Sequence, residues 1–132
     1  MKPKHNLSWH KKKTWDACSE YVRRSSADEN GICTCYTCGA RKPWKQIQAG
    51  HGFSGRSNSI LFELDIIRTQ CFGCNICNSG KLDVFTCKLR MEHGAQRYDQ
   101  LWKQKYHTRQ YSIRELIDLR DSFKKAIKEL ED

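Results

Sequence analysis

The sequence predicts a mostly helical α+β fold with a metal staple at its centre. Three observations carry this expectation: helical periodicity at both ends of the chain, two Cys-x-x-Cys pairs in its middle, and short β-branched stretches beside them. With 132 residues, one domain is expected. Only 38% of the residues are apolar and 30% are charged. A core that thin gains from a bound ion.

Residues 1–13 hold five lysines and no acid, the pattern of a flexible basic arm, which leaves 14–132 as a single domain. Trp15, Cys18, Tyr21 and Val22 recur at spacings of three and four and so share one helical face. Arg23 and Arg24 suit the C-terminal end of that helix. Ser25 to Gly31 is polar and closes on the turn pair Asn30-Gly31. Trp44 to Ala49 reads as a short strand, Gly50 to Ser59 as a loop, and Ile60 to Thr69 as β-branched chain with Ile66-Ile67 in a buried strand. Leu82 to His93 reads as a helix with Leu82, Phe85 and Leu89 inward, broken at Gly94. Residues 95–132 read as C-terminal helices. Tyr98, Leu101, Trp102 and Tyr106 share a face, and Ser112 with Glu115 forms a capping box. From there Ile113, Leu116, Ile117, Phe123, Ile127 and Leu130 keep a helical period to the end. This last apolar face, flanked by Lys124, Lys125 and Lys128, suits either its own core or an interface with a second copy.

Lysine and arginine number 24 against 15 acids, a net charge of +9, which favours a polyanionic partner, most often nucleic acid. No apolar run opens the chain and no stretch approaches a membrane span, so a cytoplasmic, non-secreted protein is expected. In a reducing compartment eight cysteines mean metal more often than disulfides. Cys35-x2-Cys38 and Cys71-x2-Cys74 make a four-thiolate tetrahedral zinc site of the closed, structural kind. Cys33 and Cys77 are near enough to compete as ligands, and Cys18 and Cys87, in helical segments, read as core.

Gln48-Ala49-Gly50-His51 ends a short strand between the two pairs, and Asn75 follows the last of the four cysteines. A closed zinc site would therefore bring Asn75 against the strand that ends at His51. That is what a one-metal phosphodiesterase needs. A histidine takes a proton from water, and a hard cation held by oxygen ligands stabilises the charge on phosphorus.

The run Cys35-Tyr-Thr-Cys-Gly39, Ala49-Gly-His51, Gln70-Cys-Phe-Gly-Cys-Asn75 and Ser79-Gly80 resembles the phage NinG (Rap) family of recombination endonucleases. Trp15-Asp-Ala-Cys-Ser-Glu-Tyr-Val-Arg23, Ala27 to Gly31, Gly94 and the long last helix fit it too, so the resemblance spans about residues 10–130. More distantly the chain is similar to phage endonuclease VII. The resemblance implies a ββα-metal (His-Me finger) core, flanked by N- and C-terminal helices, in a single His-Asn-His (HNH) nuclease domain. It implies zinc on Cys35, Cys38, Cys71 and Cys74, His51 as general base, and Asn75 as ligand to Mg2+ or Mn2+. Arg56 and Asn58, in the loop after His51, match a family loop expected to contact phosphate, and Lys81 is a further candidate for DNA binding. The implied substrate is branched DNA such as Holliday junctions, and two symmetric cuts make a homodimer economical.

The chain departs from the pattern at the catalytic cation. Related HNH enzymes place Asp just before the base histidine, where this chain has Gly50, and NinG relatives tend to carry Asp three before it, where it has Gln48. The family's asparagine five before the third zinc cysteine is Ile66 here. Gln48 and Asp65 are then the candidate partners of Asn75 on the cation, with Glu63 as a further substitute. Two other readings follow: an HNH nicking or homing-type endonuclease, or a non-catalytic zinc module that binds DNA.

Overall fold

The structure is a computed structural model that describes residues 5–132; residues 1–4 of the expected arm lie outside them. Leu7 to Lys13 are no arm. They are the first turns of helix α1 (Leu7–Ser26), where the Asn6 side chain accepts the Trp9 N–H and caps the start. The helix extends there because His10 and Thr14 belong to the same buried stripe as Ala17, Cys18 and Val22. A lysine run is compatible with a helix once one face is buried.

Two small antiparallel hairpins follow. Strand β1 (Ile32–Thr34) pairs with β2 (Arg41–Pro43), and between them the chain turns through Cys35 and Cys38. Strand β3 (Gln48–His51) pairs with β4 (Ile67–Gln70), with Gln48 opposite Gln70 and His51 opposite Ile67. The strand expected at Trp44 starts only at Gln48, because Trp44 to Ile47 form a turn. Gly50 and His51 complete the strand, as the reading of Gln48 to His51 as a strand end expects, so the loop starts after His51 and not at Gly50. Ile60 and Leu61 are buried but lie in turns, and Leu64–Ile66 is a 3-10 turn that leads into β4. Four residues of β3 can pair only four of β4, so the rest of that apolar stretch folds into turns.

Helices α2 (Leu82–His93), α3 (Ala95–Gln104) and α4 (Ile113–Leu130) complete the chain. Phe85 and Leu89 of α2 are buried, whereas Cys87, expected in the core, faces solvent on the opposite side. Tyr106 lies beyond the end of α3 and is exposed rather than on a shared inner face. The Ser112–Glu115 capping box opens α4 as expected.

The main core joins α1, the β3–β4 hairpin and α2 through Cys18, Val22, Ala49, Phe53, Ile60, Ile66, Ile67, Phe85, Leu89 and Phe123. Leu116, Phe123 and Ile127 of α4 are buried against α1. The Thr14 hydroxyl, itself fully buried, donates to the Leu116 carbonyl at 2.8 Å. Leu116, Phe123 and Ile127 of the apolar face of α4 are thus used within the chain, whereas Leu130 at its end is exposed. No helix among the described residues is long and apolar enough to cross a membrane.

Candidate metal centre and active site

Cys35, Cys38, Cys71 and Cys74 bring their sulfurs within 4.8 Å of one another. Four thiolates around one zinc at bonds of about 2.3 Å stand about 3.8 Å apart, and Cys38 Sγ lies 3.7 Å from Cys71 Sγ. The site can hold a structural metal ion such as zinc. Backbone turns aim the ligands: the Gly39 N–H donates to the Cys35 carbonyl at 2.9 Å, with Gly39 at φ +81°, and the Asn75 N–H donates to the Cys71 carbonyl at 2.9 Å. The two rival cysteines lie outside the cluster. Cys33 is buried with its thiol on the Arg23 carbonyl, and Cys77 is exposed.

The cysteine turns are tied to the β3–β4 hairpin. Thr69 Oγ1 donates to the Thr34 carbonyl at 2.8 Å, and the Tyr36 N–H donates to the Thr69 carbonyl at 2.8 Å. A π-helical turn, Gly73–Cys77, then carries Asn75 back over β3, where Asn75 Nδ2 donates to Gln48 Oε1 at 2.7 Å. Gln48 and Asn75 are therefore brought together. Asp65 is not: its carboxylate is held by Arg97 at 2.7 Å and does not line the cleft that contains Asn75. That hydrogen bond, against some burial, keeps the Asp65 carboxyl below its ordinary pKa. Glu63 is also engaged, with Gln104 and Arg97.

Gly50 has a steric reason. A Cβ there would meet Gln70 Oε1 at 2.0 Å and Asn75 Oδ1 at 3.0 Å, so no aspartate fits at this position. Gln70 is fully buried, and its Nε2 donates to Thr37 Oγ1 at 3.0 Å and to the Gly80 carbonyl at 2.8 Å. Those two bonds fix its Oε1 over Gly50, where it has no conventional hydrogen-bond partner.

The cleft beside this hairpin has a volume of about 570 Å3 and is walled by α1 through Trp15, Ser19 and Arg23. His51 closes one end, stacked on Trp15 with ring centres 4.7 Å apart. Its Nε2 lies 2.9 Å from the Leu61 carbonyl, which can only accept, so Nε2 carries the proton and Nδ1 the lone pair. Among the described residues Nδ1 has no hydrogen-bond partner, and it is not among their sealed, unpartnered polar atoms. Burial pushes the His51 pKa down to about 4; the Leu61 carbonyl opposes this and the Arg56 charge adds to it. The imidazole is thus neutral near pH 7.

Arg56 lies 4.8 Å from the Trp15 ring centre, and its backbone has φ +43° directly after Gly55 at +92°. Arg23 donates from Nη1 to the Trp44 carbonyl at 2.9 Å and from Nε to Ser19, and its side chain lines the cleft. No acidic residue lines the cleft among the described residues. Asn58, expected at phosphate, is taken up elsewhere: it accepts from Lys11 Nζ at 2.9 Å and donates to the Arg109 carbonyl at 3.1 Å. Lys81, in left-handed backbone at φ +48°, sits next to the cleft residues Gly80 and Leu82 without lining the cleft itself.

Sequence reasoning missed the α1 wall, the Leu61 carbonyl and Gln70. Trp15, Ser19 and Arg23 recur every four residues, along the edge of the apolar stripe that Trp15 shares, and that spacing was a legible signal. The Leu61 carbonyl has no sequence signal, and Gln70 had only its place at the head of the Gln70 to Asn75 run.

The family model described as Bacteriophage Lambda NinG protein matches residues 1–132. The chain belongs to that family. No curated protein and no solved structure matches it.

Proposed function

We propose that this NinG-family chain is a metal-dependent endonuclease that hydrolyses phosphodiesters in branched DNA, such as Holliday junctions, in phage recombination. One observation carries the reading: His51 has its proton fixed on Nε2 by the Leu61 carbonyl and a free lone pair on Nδ1, in a cleft whose charged groups are arginines. A neutral imidazole with one open nitrogen is poised to accept a proton from water. The order β3, β4, α2, with Asn75 between the last two, supports a ββα-metal core.

In this mechanism Arg56 and Arg23 hold the scissile phosphate. His51 Nδ1 takes a proton from a water whose oxygen attacks phosphorus, and the bond to the leaving oxygen breaks. Amide oxygens are hard donors, so Asn75 Oδ1, with Gln48 beside it, suits Mg2+ or Mn2+ in kind. Among the described residues no carboxylate lines the cleft, so the charge to balance a bound ion would come from the DNA phosphate. When bound, the ion would stabilise the negative charge that builds on phosphorus. Zinc on the four cysteines would hold Asn75 in place and take no part in the chemistry. Two cuts across a junction favour a homodimer.

The acid-free cleft favours one second reading, a non-catalytic zinc module that binds DNA. Cleavage of a four-way junction and of linear duplex, with Mg2+ or Mn2+, separates the readings. The junction is expected to be cut in preference, and His51→Ala to slow cutting by about 10²–10⁴-fold. If wild type and His51→Ala bind DNA equally and neither cuts, the module reading replaces the enzyme. Equal cutting of duplex and junction would make it a nicking or homing-type nuclease.

A further inference from the structure

We propose that Trp102 and Tyr106 form a stacking platform for unpaired DNA bases next to the cleft; this rests on the reading that the cleft takes DNA. The two rings lie at the end of α3 with centres 5.9 Å apart, and they remain 40% and 68% exposed. The fold gains little from a tyrosine left so open. The ammonium of Lys105 sits 4.9 Å from one ring centre and 5.4 Å from the other.

The pair is built onto the cleft rim. Trp102 packs edge-on against Phe53, a buried cleft residue, at 5.2 Å, and Lys105 Nζ donates to Ser54 Oγ, also at the cleft, at 3.2 Å. Ser57 and Ser59 hydroxyls donate to the Lys105 carbonyl at 3.1 and 3.2 Å and fix the end of α3 to the same loop. Phe53 and Ser54, which the pair touches, line the same cleft as Arg56, so a nucleotide on these rings would lie beside that cleft.

The charge around the platform selects the partner. Lys103, Lys105, Arg109 and Arg114 stand in and just after the end of α3, against Asp99 one turn before Trp102 and Glu63, which accepts from Gln104 at 3.1 Å. Arg109 is paired with Glu115 and Arg114 with Asp118, which leaves Lys103 and Lys105 to meet a phosphate backbone. Exposed aromatic faces among cations are the chemistry that binds single-stranded nucleic acid: bases stack and phosphates are neutralised. Fully paired duplex presents no free base face, so the platform would select DNA with unpaired nucleotides, as at an open branch point.

The test uses the zinc-loaded full chain without added Mg2+ or Mn2+. Two DNAs are compared, one with 2-aminopurine at an unpaired position beside a branch and one fully paired. Wild type is expected to change the emission of the unpaired probe. Tyr106→Ala, at a position outside any helix, should weaken binding of the branched DNA about tenfold and alter duplex binding less than twofold. Trp102→Leu, which keeps bulk against Phe53, should do the same, and Trp102→Phe should retain binding. Equal losses on both DNAs, or no loss on either, would overturn the platform while leaving the cleft reading intact. If neither DNA binds wild type, both readings fall.

Discussion

Replacing Gly50 by alanine adds one methyl group, and the structure says where it goes. The new Cβ would stand 2.0 Å from Gln70 Oε1 and 3.0 Å from Asn75 Oδ1, well inside contact distance. The Gln70 amide cannot simply swing away, because Thr37 Oγ1 and the Gly80 carbonyl hold its Nε2 and the residue is fully buried. Overpacking a buried site costs about 1–3 kcal/mol, and loss of the two hydrogen bonds adds roughly 1 kcal/mol each. The expected destabilisation is therefore about 3–5 kcal/mol, a fall in Tm of roughly 10 °C or more for a domain of this size. Denaturant unfolding of the zinc-loaded protein at fixed free zinc measures it. In a Gln70→Ala background, with the obstructing amide gone, Gly50→Ala should cost under about 1 kcal/mol. A small cost in wild type, or an equal cost in both backgrounds, would refute the claim that Gln70 dictates glycine at this position.

Three further outcomes are expected. Cys74→Ser should abolish stoichiometric zinc and unfold the domain, since metal binding at such a site is coupled to folding; a variant with full zinc and an unchanged Tm would remove the staple. His51 titrates near 4 in the fold against an ordinary 6.5, so between those pH values the unfolded chain binds the extra proton. Stability is then full above pH 6.5 and falls by about 3 kcal/mol on the way to pH 4, and the stability–pH curve of His51→Gln should lack that part of the fall; parallel curves would contradict it. Thr14→Val should cost about 1 kcal/mol by leaving the Leu116 carbonyl short of a partner between α1 and α4, whereas an unchanged unfolding midpoint would show that the helix pair does not need the bond.

Local signals were enough for much of this chain. The span of α2, the Ser112–Glu115 cap and the pairs Cys35-x2-Cys38 and Cys71-x2-Cys74 all follow from features only a few residues apart in sequence, while the fold set aside Cys33 and Cys77 as rivals. Capping, helical period and metal-ligand spacing are short-range physics, which a sequence states directly. The closeness of Asn75 to the strand ending at His51 was also legible, because a closed four-cysteine site ties their segments together.

Tertiary packing decided the rest. Leu7 to Lys13 are helical because His10 is buried in the same stripe as Thr14, a contact that charge composition hides. Asp65, a sound metal ligand by sequence distance, is bound instead to Arg97, 32 residues away. The tautomer of His51 depends on a carbonyl ten residues on, and glycine at position 50 on an amide twenty residues on. The sequence by itself determined that four cysteines gather and that a histidine and an asparagine flank them. Only the fold decided which oxygens, charges and protons face those two residues, because each depends on chain segments that meet only after the core has closed.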